Sequence, residues 1–254
     1  MHLRAAVIAL SLSLLLAGSA SAGHVWRVDG RALHWASATN PVQVDLGDNL
    51  SDPTWDGLKG VPSFVWSLSP TAPGRLGMSS YVRVNTRAGG LASNEVELHD
   101  SAYGLNGWVG EATLNSIDAQ GHNRDATIRL NESYSLSQSE KHATINHEVG
   151  HALGLDHQAG TVMCAVLCGI ENPVQHDYDV VNFVNHHLDS YNTPTQLGGA
   201  SAHRIQAPAA VGATIKRRDG ARAVIFVTRL PDRTVRLRVR DYVSVAAADA
   251  AMRR

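Results

Sequence analysis

The chain has 254 residues, 44% of them hydrophobic, and a formal net charge of −1 at pH 7. This length and apolar content allow one domain with a well-formed core and an additional extension. The near-neutral charge gives no reason to expect a nucleic-acid partner. After the first residues, no segment is continuously apolar over the roughly 20 residues that a membrane-spanning helix needs.

The N-terminus predicts a secretory signal peptide over residues 1–22. Arg4 supplies a positive charge, 5–17 is apolar, and Ala20-Ser21-Ala22 forms a cleavage site of small residues. We therefore expect a secreted protein, extracellular or periplasmic.

Short strands are predicted through the first half of the mature chain. Apolar residues alternate or form short runs between Gly, Pro, Asn and Ser, which indicates strands over 42–46, 81–85, 95–99, 108–113 and 126–130. One helix is expected among them over 53–59, because Asp52 is a good cap and Pro53 suits the first helical position. Gly60 and Pro62 should end it.

A second helix is predicted over 140–153, begun by the capping-box spacing of Ser137 and Glu140. Successive residues advance about 100° around a helix axis, so His147 and His151 share one face, one turn apart. Two imidazoles at this spacing can bind the same metal ion. The opposite face is apolar and suited to a core, with Ile145, Val149, Ala152 and Leu153.

A third imidazole follows the helix. Gly154 can adopt left-handed backbone angles, so the chain can turn and return His157 to the metal. Three protein ligands leave one coordination position open, which is typical of a catalytic zinc rather than a structural one. Glu148 is placed to take a proton from a zinc-bound water and pass it to a leaving amine. The segment therefore predicts peptide hydrolysis at one catalytic Zn²⁺.

The run HEVGHALGLDH has the form HExxHxxGxxH, and the chain resembles the metzincin zinc peptidases, most of all their matrixin-like secreted bacterial members, over about residues 34–191. The resemblance implies the zinc ligands His147, His151 and His157, the general base Glu148, and a Met-turn at Met163 beneath the metal. Taken alone, Met163 is an ordinary core methionine. Its distance from His157 is what suggests the special role.

Two departures limit what the resemblance implies. Ala165 stands where astacin-like and serralysin-like members carry a tyrosine, so that additional ligand is not expected. No cysteine precedes Cys164, so the thiol-to-zinc latch of animal matrixin propeptides is missing. Any latency must work differently.

The two cysteines, Cys164 and Cys168, directly follow Met163. In an oxidising compartment a disulfide between them is expected, and it would shape the pocket beneath the zinc. A pair of buried thiols is the alternative. The same wall is apolar, which indicates an apolar preference just beyond the scissile bond, through Ala165, Val166, Leu167 and Ile170.

A third helix is predicted over 176–188, where His186 and His187 suit the helix dipole and are assigned no metal. Strands followed by the zinc helix and a final helix describe an α+β fold with a twisted mixed sheet above the active-site helix. By resemblance, 106–113 would be the edge strand beside the cleft. A protein or peptide substrate in extended form would pair with that edge.

Further metal sites receive little support. Asp118, Asn123 and Asp125 offer oxygen ligands for Ca²⁺. Their spacing, like that of His99 and Asp100, does not match the additional zinc and calcium sites of animal matrixins. Solvated loop residues are the favoured interpretation, and His142 is interpreted as a surface histidine.

The composition changes after residue 191. Small and turn-forming residues over 192–202 predict a linker between a catalytic domain, 23–191, and an extension, 203–254. From residue 201 onwards the chain has twelve Lys and Arg and four Asp, so the extension is basic. Apolar runs over 223–230 and 234–242 predict a small β-hairpin.

Several roles remain open for this extension. It could be an appended module, a strand pair packed on the catalytic domain, a contact for anionic surface polymers, or a solvated appendage without a partner. The leading function is a secreted, monomeric zinc endopeptidase. The alternative is a secreted zinc-containing pseudoenzyme that binds a partner through its cleft and basic tail, although the intact Glu148 favours the enzyme.

Overall fold

The computed structural model describes residues 24–36, 42–58, 60–67, 82–88, 95–165, 168–185, 204–220 and 222–254. The predicted signal peptide and linker lie outside these residues, as do Val166, Leu167, His186 and His187.

Within these ranges the chain forms short and long strands and five helices. The strands are β1 (Arg27–Val28), β2 (Arg31–Ala32), β3 (His34–Trp35), β4 (Val42–Asn49), β5 (Val82–Ala88), β6 (Val96–Ser101), β7 (Trp108–Ile117), β8 (His122–Asn123), β9 (Ala126–Asn131), β10 (Arg204–Ile205), β11 (Thr214–Asp219), β12 (Ala223–Arg229) and β13 (Val235–Tyr242). The helices are α1 (Pro53–Asp56), α2 (Gly60–Trp66), α3 (Gln138–Ala152), α4 (Gln175–Asn185) and α5 (Val245–Arg253).

The main element of the fold is one mixed sheet with the strand order β11-β12-β13-β7-β9-β6-β4-β5. Strands β4, β5, β6 and β9 run parallel, whereas β7 is antiparallel to both β9 and β13. Strands β1, β2 and β10 form a separate three-stranded sheet. The five strands predicted before the zinc helix are present as β4, β5, β6, β7 and β9, and the predicted α+β class with a twisted mixed sheet is confirmed.

The predicted start of the helix at Pro53 and its Asp52 cap are confirmed, but the predicted end at residue 59 is wrong. The Asp52 carboxylate caps α1 by accepting hydrogen bonds from Thr54 N and Trp55 N, but α1 ends after one turn. The chain then starts α2, with Pro62 in its first turn. Proline is tolerated there because the backbone N–H groups of a first turn have no intrahelical acceptor.

Helix α3 packs its apolar face against the sheet. The inward side chains of the helix and the sheet residues in the same core cluster are fully buried. On the helix side these are Ile145, Val149, Ala152 and Leu153, and on the sheet side Leu46, Leu98, Ile128 and Leu130. The capping box is present, since Ser137 Oγ accepts from Glu140 N and the Glu140 carboxylate accepts from Ser137 N at 2.8 Å.

Within the described ranges, every helix is too short or too polar to cross a bilayer.

The C-terminal extension is part of the main sheet, and it is larger than the predicted hairpin. Strands β12 and β13 lie close to the predicted ranges, but β11 and α5 complete the unit. Val235, Leu237 and Val239 alternate inward along β13 and are at most 3% exposed. They join a core cluster that includes Trp26 and Leu114. Burial of this apolar face explains why the extension docks rather than remaining solvated.

The prediction that 106–113 is an open edge strand is also wrong. Strand β13 pairs with β7 along its length, from Val235 opposite Ile117 to Tyr242 opposite Trp108. The sequence pattern of β7 is compatible with either an edge or an interior position in the sheet. Its neighbour β13 comes from the far end of the chain, so the local pattern could not reveal it. As a result, the strand expected to receive a substrate already has a partner.

Candidate metal centre

Helix α3 presents His147 and His151 one turn apart, as the spacing predicts. Their ring centroids lie 4.5 Å apart, and the residues are 6% and 0% exposed. Both residues lie in the buried part of the helix, which extends from Ala143 to Ala152. The two imidazoles are therefore held in a site shielded from bulk water.

Gly154 turns the chain at the end of α3. Its φ is +98°, in the left-handed region that favours glycine, and a Cβ there would overlap Leu33 O. Leu155 N donates to Gly150 O at 3.0 Å, and Gly154 N donates to His151 O at 2.9 Å, which satisfies carbonyls of the last turn. This turn directs the following residues back across the helix end.

His157 returns to the two helix histidines. Its ring centroid lies 5.1 Å from that of His147 and 4.6 Å from that of His151. The Nε2 atoms of His151 and His157 are 3.1 Å apart. One ring nitrogen from each histidine and one carboxylate oxygen of Asp241 all lie within 4.8 Å of one another.

The other ring nitrogen of each histidine has a fixed partner. His147 Nδ1 donates to Val162 O at 2.8 Å, and His151 Nδ1 donates to Leu155 O at 2.8 Å. His157 Nδ1 pairs with the Asp219 carboxylate. For His147 and His151, donation from Nδ1 to a carbonyl oxygen selects the tautomer whose Nε2 carries a lone pair. His157 Nε2 faces the same point and would present a lone pair there once a cation replaces its proton.

Asp241 is the residue that sequence reasoning missed. Its Oδ1 lies 3.0 Å from His157 Nε2, and its Oδ2 lies 3.4 Å from His147 Nε2 and 3.7 Å from His151 Nε2. It comes from the end of β13. The local pattern gives one weak signal, because Asp241 is the only acidic residue of a strand that otherwise alternates arginine with apolar residues.

The chemistry of the cluster fits a bound cation. Among the described residues, the buried atoms His147 Nε2 and Asp241 Oδ2 have no hydrogen-bond partner. Burial lowers the pKa of His151 to about 4, and the neighbouring His147 and His157 add to this effect, so the ring is neutral. Burial also acts to lower the pKa of His157, but the Asp241 and Asp219 carboxylates raise it well above its usual value. The site therefore attracts positive charge, and three imidazoles with a carboxylate are ligands that Zn²⁺ accepts.

Glu148 lies beside this cluster and is fully buried. Burial raises the pKa of its carboxyl well above the usual range, and the negative charge of Asp241 raises it further. Neither carboxylate oxygen has a hydrogen-bond partner within the described part of the chain. Gly110 on β7 provides the space, since a Cβ at that position would overlap Glu148 Oε1.

Met163 is fully buried beneath the same helix. A Cβ on Gly150 would overlap Met163 Sδ, so the glycine within the histidine motif is what allows this side chain to pack against α3. Gln158 N donates to Met163 O at 2.8 Å and closes the turn after His157. The preceding carbonyl, Val162 O, is the one that orients His147.

A cavity of about 240 Å³ opens beside the cluster and is lined by His147, Glu148 and Asp241. Cys164 and Cys168 also line it and are joined by a disulfide. Its further lining is mixed rather than wholly apolar: Ala165, Ile170, Thr144, Glu140, Arg222 and Val243. The last two residues belong to the C-terminal extension.

The other sequence candidates serve local structure. The Asp118 carboxylate accepts from Gln120 N at 2.9 Å and pairs with His122 Nδ1 at 2.9 Å. Asp100 accepts from Ser51 N and Asp52 N, and His142 pairs with Glu171 at 3.1 Å. Among the described residues, His, Cys, Asp and Glu form two groups able to hold a metal, and both contain His157. Asp118 and Asp125 belong to neither.

Comparison of the chain with protein-family models, with curated proteins and with solved structures finds no match.

Proposed function

We propose that this protein is an exported zinc endopeptidase. The observation that carries the proposal is the convergence of three ring nitrogens, from His147, His151 and His157, beside a cavity that His147 and Glu148 line. A structural zinc needs no neighbouring buried acid without hydrogen-bond partners, whereas hydrolysis needs a general base at that place.

The protein supplies position and proton transfer. When bound, Zn²⁺ acidifies a water molecule and polarises the carbonyl of the scissile bond. Glu148 accepts the proton of the attacking water and delivers it to the leaving amine nitrogen. Its raised pKa brings proton uptake and release closer to neutral pH, where an acid–base catalyst is most effective. Asp219, Leu155 O and Val162 O hold the histidine rings in place.

The substrate class follows from the cavity and from β7. In the structure β13 occupies one side of β7, so a peptide in extended form would pair there only once β13 has left, by main-chain hydrogen bonds that require no particular side chains. The side chain after the scissile bond would enter the cavity beside the disulfide. Because Arg222 lines that cavity with Ala165 and Ile170, acidic as well as apolar side chains are accommodated.

Export is supported by two features of the chain. Residues 1–22 have the order of a signal peptide, and the disulfide between Cys164 and Cys168 is stable in an oxidising compartment. Both support export from the cytoplasm.

A second candidate is a zinc-holding binding protein without catalysis. The observation that favours it is Asp241, because a site with four protein ligands is typical of structural zinc. The two candidates differ in whether removal of the Asp241 carboxylate releases hydrolytic activity.

The test compares Arg240→Ala/Asp241→Ala with a second variant that carries Glu148→Gln in addition, both as full mature chains, because Arg240 also holds β13 on β7. If the protein is an endopeptidase, each variant should bind one zinc per chain, and the variant that retains Glu148 should cleave an unfolded protein substrate. The variant with Glu148→Gln should cleave it about 10²–10⁴-fold more slowly. If both variants bind zinc and neither cleaves the substrate, the binding protein is favoured. If the two variants cleave the substrate at the same rate, Glu148 is not the general base.

A further inference from the structure

We infer that the full-length chain is a latent form, in which β13 lies in the place of a substrate and Asp241 is the fourth protein ligand of the metal. This inference rests on the proposed function, and it concerns regulation of the same site. It assigns to the C-terminal extension a role that its composition did not suggest.

The first support is the position of β13. It lies antiparallel along β7, with Leu237 opposite Leu114 and Val239 opposite Ala112, and brings Asp241 opposite Gly110. Gly110 is the residue whose missing side chain makes room for Glu148. The strand therefore crosses the metal centre at the point where the scissile bond of a paired peptide would have to lie. An extended substrate can pair with β7 only after β13 leaves.

The second support is the chain direction beyond Asp241. The ladder shifts register between Asp241 and Tyr242, and Val243 N then donates to Gly107 O at 2.7 Å. Val243 also lines the cavity beside the disulfide. One continuous segment thus covers β7 on one side of the metal centre and reaches the cavity on the other side.

The third support is the carboxylate itself. Within the described ranges, Asp241 is the one side chain whose oxygens approach all three ring nitrogens, at 3.0 to 3.7 Å. With a metal ion bound, a carboxylate in this position would complete a set of four protein ligands, in the place that an attacking water would otherwise take.

The extension is also anchored by contacts that do not involve Asp241. Glu111 on β7 is 1% exposed and pairs with Arg240 of β13, as well as with Arg129 at 3.0 Å. Asp219 of β11 holds His157. Tyr242 packs with Trp108 and Ala248 in a separate apolar cluster. These contacts make occupation of the cleft the stable state of the intact chain.

The experiment uses the full mature chain with Co²⁺ in place of zinc, and acetohydroxamic acid as a small metal-chelating probe. Visible absorption of Co²⁺ reports the ligand set, and titration reports access to the metal. We compare wild type, Asp241→Ala and the isosteric Asp241→Asn. The matched control is Asp232→Asn, in the exposed turn at the other end of β13, where the amide oxygen can still accept from Thr234 N.

Both Asp241 variants should change the cobalt spectrum and bind the hydroxamate about tenfold or more tightly than wild type, because the competent state is no longer suppressed. The Asp232→Asn control should match wild type. Unchanged spectra and affinities in folded Asp241→Ala and Asp241→Asn would overturn the inference, even if the protein is an active peptidase. Tighter hydroxamate binding without cleavage of any protein substrate would support the inference and count against the proposed activity instead.

Discussion

Asp241 Oδ1 lies 3.0 Å from His157 Nε2, although 84 positions separate the two residues in the sequence. The contact ties the last strand of the sheet to the last histidine of the metal centre. The extension also supplies Asp219, on the opposite nitrogen of the same ring. The candidate metal site is thus built from two distant parts of the sequence.

Asp219 positions His157. Replacing it in Asp219→Ala removes the partner of Nδ1, so the ring is no longer held in the tautomer and orientation that present Nε2. We expect the affinity for zinc, measured by competition with a chromogenic chelator, to fall about 10–100-fold. Asp232→Asn in the same extension is the control and should retain wild-type affinity. An unchanged affinity in Asp219→Ala would show that His157 does not depend on this carboxylate.

Arg240 anchors β13 to the buried Glu111. In Arg240→Ala, Glu111 keeps Arg129 but loses a partner from the strand, and we expect the free energy of unfolding to fall by about 1–3 kcal/mol. Hydrogen exchange of β13 amides should be faster, and the hydroxamate should bind more tightly, because β13 leaves β7 more often. Arg236→Ala is the control, since its side chain is exposed on the same strand. Equal exchange in the two variants would argue against Glu111 as an anchor.

Gly154 carries two separate constraints. Its φ is +98°, and a Cβ there would overlap the Leu33 carbonyl oxygen. Gly160 has a similar φ of +81° but no atom within 4 Å of a Cβ position. Gly160→Ala should therefore cost only the dihedral strain, about 1 kcal/mol, whereas Gly154→Ala should cost more and should weaken zinc binding by displacing His157. Thermal unfolding of the two variants, with zinc titration, measures the difference. Equal losses would mean that contact with Leu33 does not hold this turn.

Ser137 caps α3 through its side-chain oxygen. Ser137→Ala removes that acceptor from Glu140 N, and we expect the free energy of unfolding, measured by urea denaturation, to fall by about 1 kcal/mol. Ser137→Thr preserves both the acceptor for Glu140 N and the hydroxyl that donates to the Glu140 carboxylate, and it should remain close to wild type. A loss of the same size in both variants would indicate that another contact of Ser137 is responsible.

The helix part of the metal centre could be predicted because its signals are local. His147 and His151 share a helix face, and Gly154 is needed for a turn that returns His157 within a few residues. Helix periodicity and the glycine conformation depend on neighbouring residues, so they can be read from the sequence. The capping box of Ser137 and Glu140 is local for the same reason.

The closure of the cleft could not be predicted in this way. Asp219 and Asp241 reach the histidines only because β11, β12 and β13 extend the main sheet, and β-pairing between distant strands leaves no fixed spacing in the sequence. The alternation of Val235, Leu237 and Val239 with arginines correctly indicated a strand. It did not indicate that β7 would be its partner, and the net positive charge left open whether the extension packs on the catalytic domain or stays in solvent. In the structure Arg240 and Arg238 of β13 pair with the buried Glu111.

The most direct test is a crystal structure of the zinc-loaded, full-length mature chain with anomalous data collected at the zinc edge. A latent zinc peptidase predicts one strong anomalous peak bounded by the Nε2 atoms of His147, His151 and His157 and by the carboxylate of Asp241. A folded chain with no anomalous peak among the three histidines would contradict the metal centre. A peak with Asp241 turned away and a water in its place would contradict the latent state.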